Sequence, residues 1–291
     1  MRILLTNDDS HRSPLLEIAI RYLSKLGTLD IVVPSREQSW TAKSMTRFNP
    51  LHVHEIELFG RKAFAVDGTP ADCVNLGIYN LCAEKPDLVV SGINAGFNKG
   101  LGFVLSSGTV GAALEANIAG IPAIALSQAF DTATRNRYID QYMIEPETIA
   151  AFERHTNAIL DRLGSTLLSP QTIKSVLATP LTWNVNLPFE LVDPAVLRNS
   201  SLGCARYGRT FVEQPGIERS GFKTFVHDKL PEIADTSPGT DSFVLASGCA
   251  SLCPINIWSW SGVDYRKVMR AVARAVERAI HTQESRSTVC E

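Results

Sequence analysis

Two adjacent carboxylates, Asp8 and Asp9, stand where an apolar run from Ile3 to Leu5 breaks off through Thr6 and Asn7. Neighbouring aspartates repel one another unless a cation lies between them. The run reads as the first strand of an α/β protein, buried on both faces, and such strands deliver functional groups to the crevice at their carboxyl ends. A polar turn that merely caps the next helix would contain the same residue types, so the pair gains its meaning from what surrounds it.

Two later loops offer matching chemistry. The polar segment Ser35 to Thr46 follows an apolar strand, Leu29 to Val33, that is cut off by Pro34, and it carries Ser39. The strand Pro86 to Val90 runs into Ser91-Gly92-Ile93-Asn94-Ala95-Gly96-Phe97-Asn98-Lys99-Gly100. Asp8, Asp9, Ser39 and Asn94 together would supply only oxygen donors. That set suits Mg²⁺, Mn²⁺ or Ca²⁺ and not a zinc held by sulfur and nitrogen. Ser107-Gly108-Thr109 then opens a helix of small residues reaching about Ala119. Unpaired amides and the helix dipole make such an end an anion site. A hard cation opposite that nest is what hydrolysis of a phosphomonoester needs. Taken singly, Ser-Gly-Thr would be a plain N-cap. Gly92, Gly96 and Gly100 fit neither the dinucleotide-binding nor the Walker A spacing.

The elements that must position these groups alternate in type. After the Asp pair, Ser13-Pro14 opens a helix whose apolar face includes Leu15, Leu16, Ile18, Ala19, Tyr22, Leu23 and Leu26, ended by Gly27. Leu51 to Leu58 and Lys62 to Val66 read as a hairpin. Thr69 is an N-cap with Pro70 at the first helical position. Gly120-Ile121-Pro122 breaks the small-residue helix before a strand at Ala123 to Leu126. Further on, the sequence predicts a helix from about Glu145 to Leu163, a strand Leu181 to Leu187 ended by Pro188, short strands and turns over 190 to 250, and a final amphipathic helix from about Val263 to His281. The expected fold is a Rossmann-like, doubly wound, mostly parallel α/β sheet. Residues 1–188 would form its core and 189–291 a smaller C-terminal region with a β-hairpin and an oligomerisation helix.

Composition narrows the classes. The 291 residues carry a net charge of −2 and 45% hydrophobic residues, an ordinary globular balance without the basic footprint of nucleic-acid or anionic-membrane binding. No apolar run reaches membrane-spanning length, and the first strand begins too close to Met1 for a signal peptide, so cytoplasmic residence is the expectation. Cysteines 73, 82, 204, 249, 253 and 290 form no metal-binding C-x-x-C pair and read as free thiols.

In order along the chain, NDD at 7–9, GTPADCV at 68–74, PDLVVSGINAG followed by Asn98, and SGTVGAALE at 107–115 resemble the SurE family of metal-dependent nucleotidases. Weaker echoes follow at NVNLP 184–188 and GTD 239–241. The resemblance implies a phosphatase for 5′- and 3′-nucleoside monophosphates that uses Mn²⁺ or Mg²⁺ and assembles as a homodimer or homotetramer. It places metal ligands at Asp8, Asp9, Ser39 and Asn94, and a catalytic phosphate site at Asn98, Ser107, Gly108 and Thr109 beside the Asp pair. A phosphatase for polyphosphate or another phosphomonoester, and a nucleotide-binding module of low activity, are the alternatives. Direct attack by water is expected; an aspartyl-phosphate on Asp8 is the rival route.

The chain departs from the family pattern around the mouth of the proposed site. Ser10 and Trp40 stand where the family usually has glycine, and Ser106 where a tyrosine commonly precedes Ser-Gly-Thr. The Trp40 ring could stack on a nucleobase, and it could equally well pack on its own loop. His11 is a lone loop histidine near the pair.

Overall fold

The computed structural model describes residues 1–167, 180–193, 196–214, 223–228 and 232–261. The expected final helix, 263–281, lies outside the described residues. Five strands follow the predicted order: β1 (Arg2–Thr6), β2 (Thr28–Pro34), the β3 (Val53–Leu58) and β4 (Arg61–Val66) hairpin, and β5 (Leu88–Ala95). The hairpin turns on Phe59 and Gly60, both at positive φ, as a tight two-residue turn requires. β6 (Ala123–Gln128), β7 (Thr182–Leu187), β8 (Leu197–Asn199) and β13 (Ala250–Ile255) complete a nine-stranded sheet in the order β3-β4-β2-β1-β5-β6-β7-β13-β8. It is mostly parallel; β3 against β4 and β13 against β7 are the antiparallel pairs. β9 (Arg206–Tyr207), β10 (Phe211–Glu213), β11 (Phe225–His227) and β12 (Glu232–Ile233) form two small antiparallel pairs outside it.

Successive residues of β1 feed opposite layers. Ile3 and Leu5 pack with α1 (Leu15–Leu23) and α6 (Pro146–Leu167), while Leu4 packs with α2 (Pro70–Leu76) and α4 (Gly108–Ile118). That explains the unbroken apolar run, since a central parallel strand has no solvent face. Helix α1 stops at Leu23, earlier than its apolar pattern, and residues 24–26 make a closing turn. α2 begins as its sequence predicts: Thr69 accepts from the Asp72 amide, and Asp72 accepts in return from the Thr69 amide. Three helices go beyond the sequence reading, α3 (Gly100–Ser106), α5 (Thr132–Gln141) and the short helix Asp241–Ala246, which stands where the sequence predicts only strands and turns. α7 (Asp241–Ala246) precedes β13. Among the described residues no single helix is long and apolar enough to cross a membrane.

β1 lies between β2, which continues the sheet one way, and β5, which continues it the other. The chain direction of the winding reverses there. A crevice opens at the carboxyl end of such a pair.

Candidate metal and phosphate site

Both carboxylates sit in that crevice, one turn beyond β1. The turn is closed by the Asn7 side-chain amide, which donates to the Ser10 carbonyl at 2.8 Å, and Ser10 itself adopts φ +70°. Asp8 and Asp9 are each only 3% exposed. Asp8 is held by α4: the Thr109 hydroxyl donates to Oδ1 at 2.6 Å and the Thr109 amide to Oδ2 at 3.1 Å. Asp9 is held by the last residue of β5, where the Ala95 amide donates to its Oδ2 at 2.9 Å. The two acids are therefore fixed by two different elements, and Asn94 is the residue next to the one that grips Asp9.

Burial raises the Asp8 carboxyl from an ordinary 3.8 to about 6, against the opposing pull of the Thr109 hydrogen bonds. Asp9 is raised further from its ordinary range, first by burial and then by the negative charge of Asp8, while the Tyr138 hydroxyl of α5 works to lower it. Two buried acids in contact, resisting ionisation, make a place where a dication is favoured over bare charge. Among the described residues no group of three or more His, Cys, Asp and Glu could hold a metal. A site here therefore has to draw on hydroxyl and amide oxygens as well, and the residue set of Asp8, Asp9, Asn94 and Ser39 fits a hard cation that keeps several waters.

The four proposed ligands are not equally placed. Asn94 is buried, and its side-chain amide donates to the Gly96 carbonyl at 2.9 Å, an arrangement that fixes which end of the amide is the oxygen. Ser39 lies on a loop pinned to the pair, since the Gln38 amide donates to the Asp8 carbonyl at 2.8 Å. Its hydroxyl, however, donates to Glu37 at 2.6 Å and the residue is exposed.

The nest at the start of α4 depends on close approach. A Cβ on Gly108 would lie 2.9 Å from both the Gln38 carbonyl oxygen and the Asp8 Cβ, so only glycine fits between the loops. Ser107 is the N-cap, accepting from the Val110 amide at 3.1 Å. Thr109 spends both its donors on Asp8, so its part in the site is to hold the acid; the Gly108 amide and the Ser107 hydroxyl proton are the groups left to meet an anion.

Asn98 is clamped from beneath. Its amide donates to Asn186 Oδ1 at 2.8 Å, its carbonyl accepts from the side chains of Asn184 and Asn186 at 2.8 and 3.1 Å, and its own side-chain amide donates to the Ser127 hydroxyl at 2.9 Å. Asp241, fully buried at the start of α7, accepts from the Gly100 amide at 2.7 Å and the Gly203 amide at 3.1 Å. Sequence reasoning noted the segments NVNLP and GTD without assigning these residues. The signal available was polarity out of place: two asparagines inside a β-strand that is buried throughout. Glu37 and Tyr138 were likewise missed.

The sequence profile described as "Survival protein SurE" matches residues 3–210 of this chain. The chain belongs to the SurE family. A SurE protein from Alkalilimnicola ehrlichii, named 5′-nucleotidase SurE, is 34% identical over 266 residues, covering 88% of this chain and 90% of that one. One of the same name from Geotalea daltonii is 52% identical over 127 residues, 44% of this chain and 50% of its own. The crystal structure of the SurE protein from Aquifex aeolicus superposes with a TM-score of 0.63 at 26% identity, covering 93% of this chain and all of that one. Against the SurE pattern, the two glycines replaced here by Ser10 and Trp40 turn out to occupy positions of positive φ, +70° and +64°. Glycine is at home in that conformation, and this chain adopts it with side chains.

Proposed function

We propose that this SurE protein is a metal-dependent phosphomonoesterase that hydrolyses nucleoside 5′- and 3′-monophosphates to nucleoside and phosphate. The observation that carries the proposal is a pair of buried adjacent carboxylates at the β1/β5 crossover, one hydrogen-bonded to the α4 N-terminus through Thr109 and the other to the end of β5 through the Ala95 amide. The relatives' name, 5′-nucleotidase SurE, supports the substrate class.

Asp8, Asp9 and Asn94, with Ser39 once its hydroxyl leaves Glu37, would hold a Mg²⁺ or Mn²⁺ ion. Bound there, the dication supplies charge neutralisation and lowers the pKa of a coordinated water. The chain's own contribution is orientation. Gly108 and Ser107 would offer donors to the phosphoryl oxygens as charge spreads over them, and Asn98 would add to them from a loop clamped by Asn184 and Asn186. Thr109 and Ala95 keep the two acids aimed. An aspartyl-phosphate on Asp8 is the weaker route, because both of its oxygens already accept from Thr109. The five described cysteines are free thiols, which supports a cytoplasmic setting.

Phosphate release from a panel of nucleoside monophosphates, sugar phosphates and polyphosphate with Mn²⁺ or Mg²⁺ tests the proposal. Activity on the nucleotides, abolished by EDTA and by Asp9→Asn, is expected. Turnover that survives both treatments would reject it, and preference for polyphosphate would replace the substrate class.

A further inference from the structure

Trp40 is conformationally expensive where it stands. Its φ of +64° lies in the left-handed region, sparsely used by bulky residues, and the residue is nevertheless 43% exposed. Packing alone does not account for such a residue, since a strained position is maintained only where something is gained from it. The neighbours of the ring are aromatic and come from a distant part of the chain. Tyr207 on β9 lies 4.9 Å away, centroid to centroid, tilted by 58°, and His227 on β11 lies 5.6 Å away at 68°. Tyr207 in turn meets Phe103 of α3 at 5.7 Å and 76°. All three contacts are tilted or edge-on, so no ring in the group is stacked face to face, and the exposure of Trp40 leaves part of the indole open to solvent.

The group stands beside the proposed phosphate site. Trp40 is two residues from Gln38, whose amide binds the Asp8 carbonyl and whose own carbonyl abuts Gly108. Two residues span at most about 7 Å, within the reach from phosphate to base in a mononucleotide, and on the other side of Trp40 the Ala42 amide donates to the Ser106 carbonyl at 3.1 Å. Phe103 sits on the short helix that leads into the Ser107 cap.

We propose that Trp40, braced by Tyr207, His227 and Phe103, is the platform on which the base of the substrate stacks; this rests on the phosphomonoesterase reading above. It makes Trp40 a specificity-determining residue that selects aromatic-bearing phosphomonoesters over plain sugar phosphates. Because every base has a π-face, the platform tolerates all bases and favours the larger purines.

Two readouts test it. The ratio of kcat/KM for adenosine 5′-monophosphate to that for ribose 5-phosphate is expected to fall about tenfold or more in Trp40→Leu and in Trp40→Gly, mainly through KM, and to be largely kept in Trp40→Phe. Glycine accepts the left-handed backbone, so Trp40→Gly separates loss of the ring from collapse of the loop. An unchanged ratio in both Leu and Gly variants overturns the platform, as does an equal fall for both substrates, which would mark Trp40 as a loop brace. Independently of turnover, adenosine 5′-monophosphate should quench wild-type tryptophan fluorescence more than ribose 5-phosphate does, and Trp40→Gly should remove the difference. If no phosphomonoester is hydrolysed, the functional reading fails, and the quenching alone decides for or against the platform.

Discussion

Thr109 grips Asp8 with both of its donors, the hydroxyl on Oδ1 at 2.6 Å and the amide on Oδ2 at 3.1 Å. The start of α4 and the acid at the end of β1 thus form one unit, and the α4 nest cannot shift without moving a proposed metal ligand. Thr109→Val keeps the shape and deletes one of the two bonds. A loss of about 1–2 kcal/mol in stability is expected, because a buried carboxylate oxygen is left without its partner. Activity should fall ten- to a hundredfold, and Thr109→Ser should recover most of it. Chemical denaturation and steady-state kinetics on the pair of variants check this.

Gly108 admits no side chain. In Gly108→Ala the new methyl would press on the Gln38 carbonyl and on Asp8, each within 2.9 Å, so the loop bearing Ser39 must retreat. Overpacking of this kind costs about 1–3 kcal/mol. A sharp drop in kcat with weakened Mn²⁺ affinity is expected, measured by metal titration of the activity. Normal affinity would mean that the Ser39 loop plays no part in holding the ion.

The acid pair makes the metal-free protein sensitive to pH in a definite direction. Asp8 is raised in the fold from 3.8 to about 6, so its contribution to stability is fully present below about 3.8 and is lost as pH rises through 6. Asp9, raised as well, adds in the same direction. In EDTA, the melting temperature of Asp8→Asn relative to wild type should therefore climb between pH 4 and 7, by a few degrees. Saturating Mn²⁺ should cancel the slope in the wild type. A difference flat across that range would show that burial does not raise the pair.

Asn186 and Asp241 act on the phosphate site through backbone alone. Asn186→Leu and Asp241→Asn each strand buried amides, of Asn98 and of Gly100 respectively. Stability should drop by about 2 kcal/mol and kcat should fall, while Mn²⁺ affinity stays close to wild type because Asp8, Asp9 and Asn94 are untouched. Parallel loss of metal affinity would place the clamp in the metal site itself.

What the sequence made legible is what is written locally. The β1 run with its acid pair, the Thr69-Pro70 helix start and the Ser107 cap each depend on residues within a few positions of one another, and all three stand as expected. The terminal contacts of the site were hidden because they join residues about 90 to 140 positions apart, as in Asn98 with Asn186 and Gly100 with Asp241. α3 escaped because its seven residues include two glycines, and α5 because its polar sequence presents little apolar face. The aromatic group around Trp40 likewise unites four separate segments, and no local pattern announces it.

The Asp241 clasp has a consequence during synthesis. A ribosome that has just finished α4 has already synthesised both acids, the Asn98 loop and the helix nest, yet β7 and α7, the strand and the short helix that clamp that loop, come more than sixty residues later. The enzyme's reactive half is thus assembled early and armed late. Nascent chains stopped before α7 should carry the whole set of proposed catalytic groups and still release little phosphate.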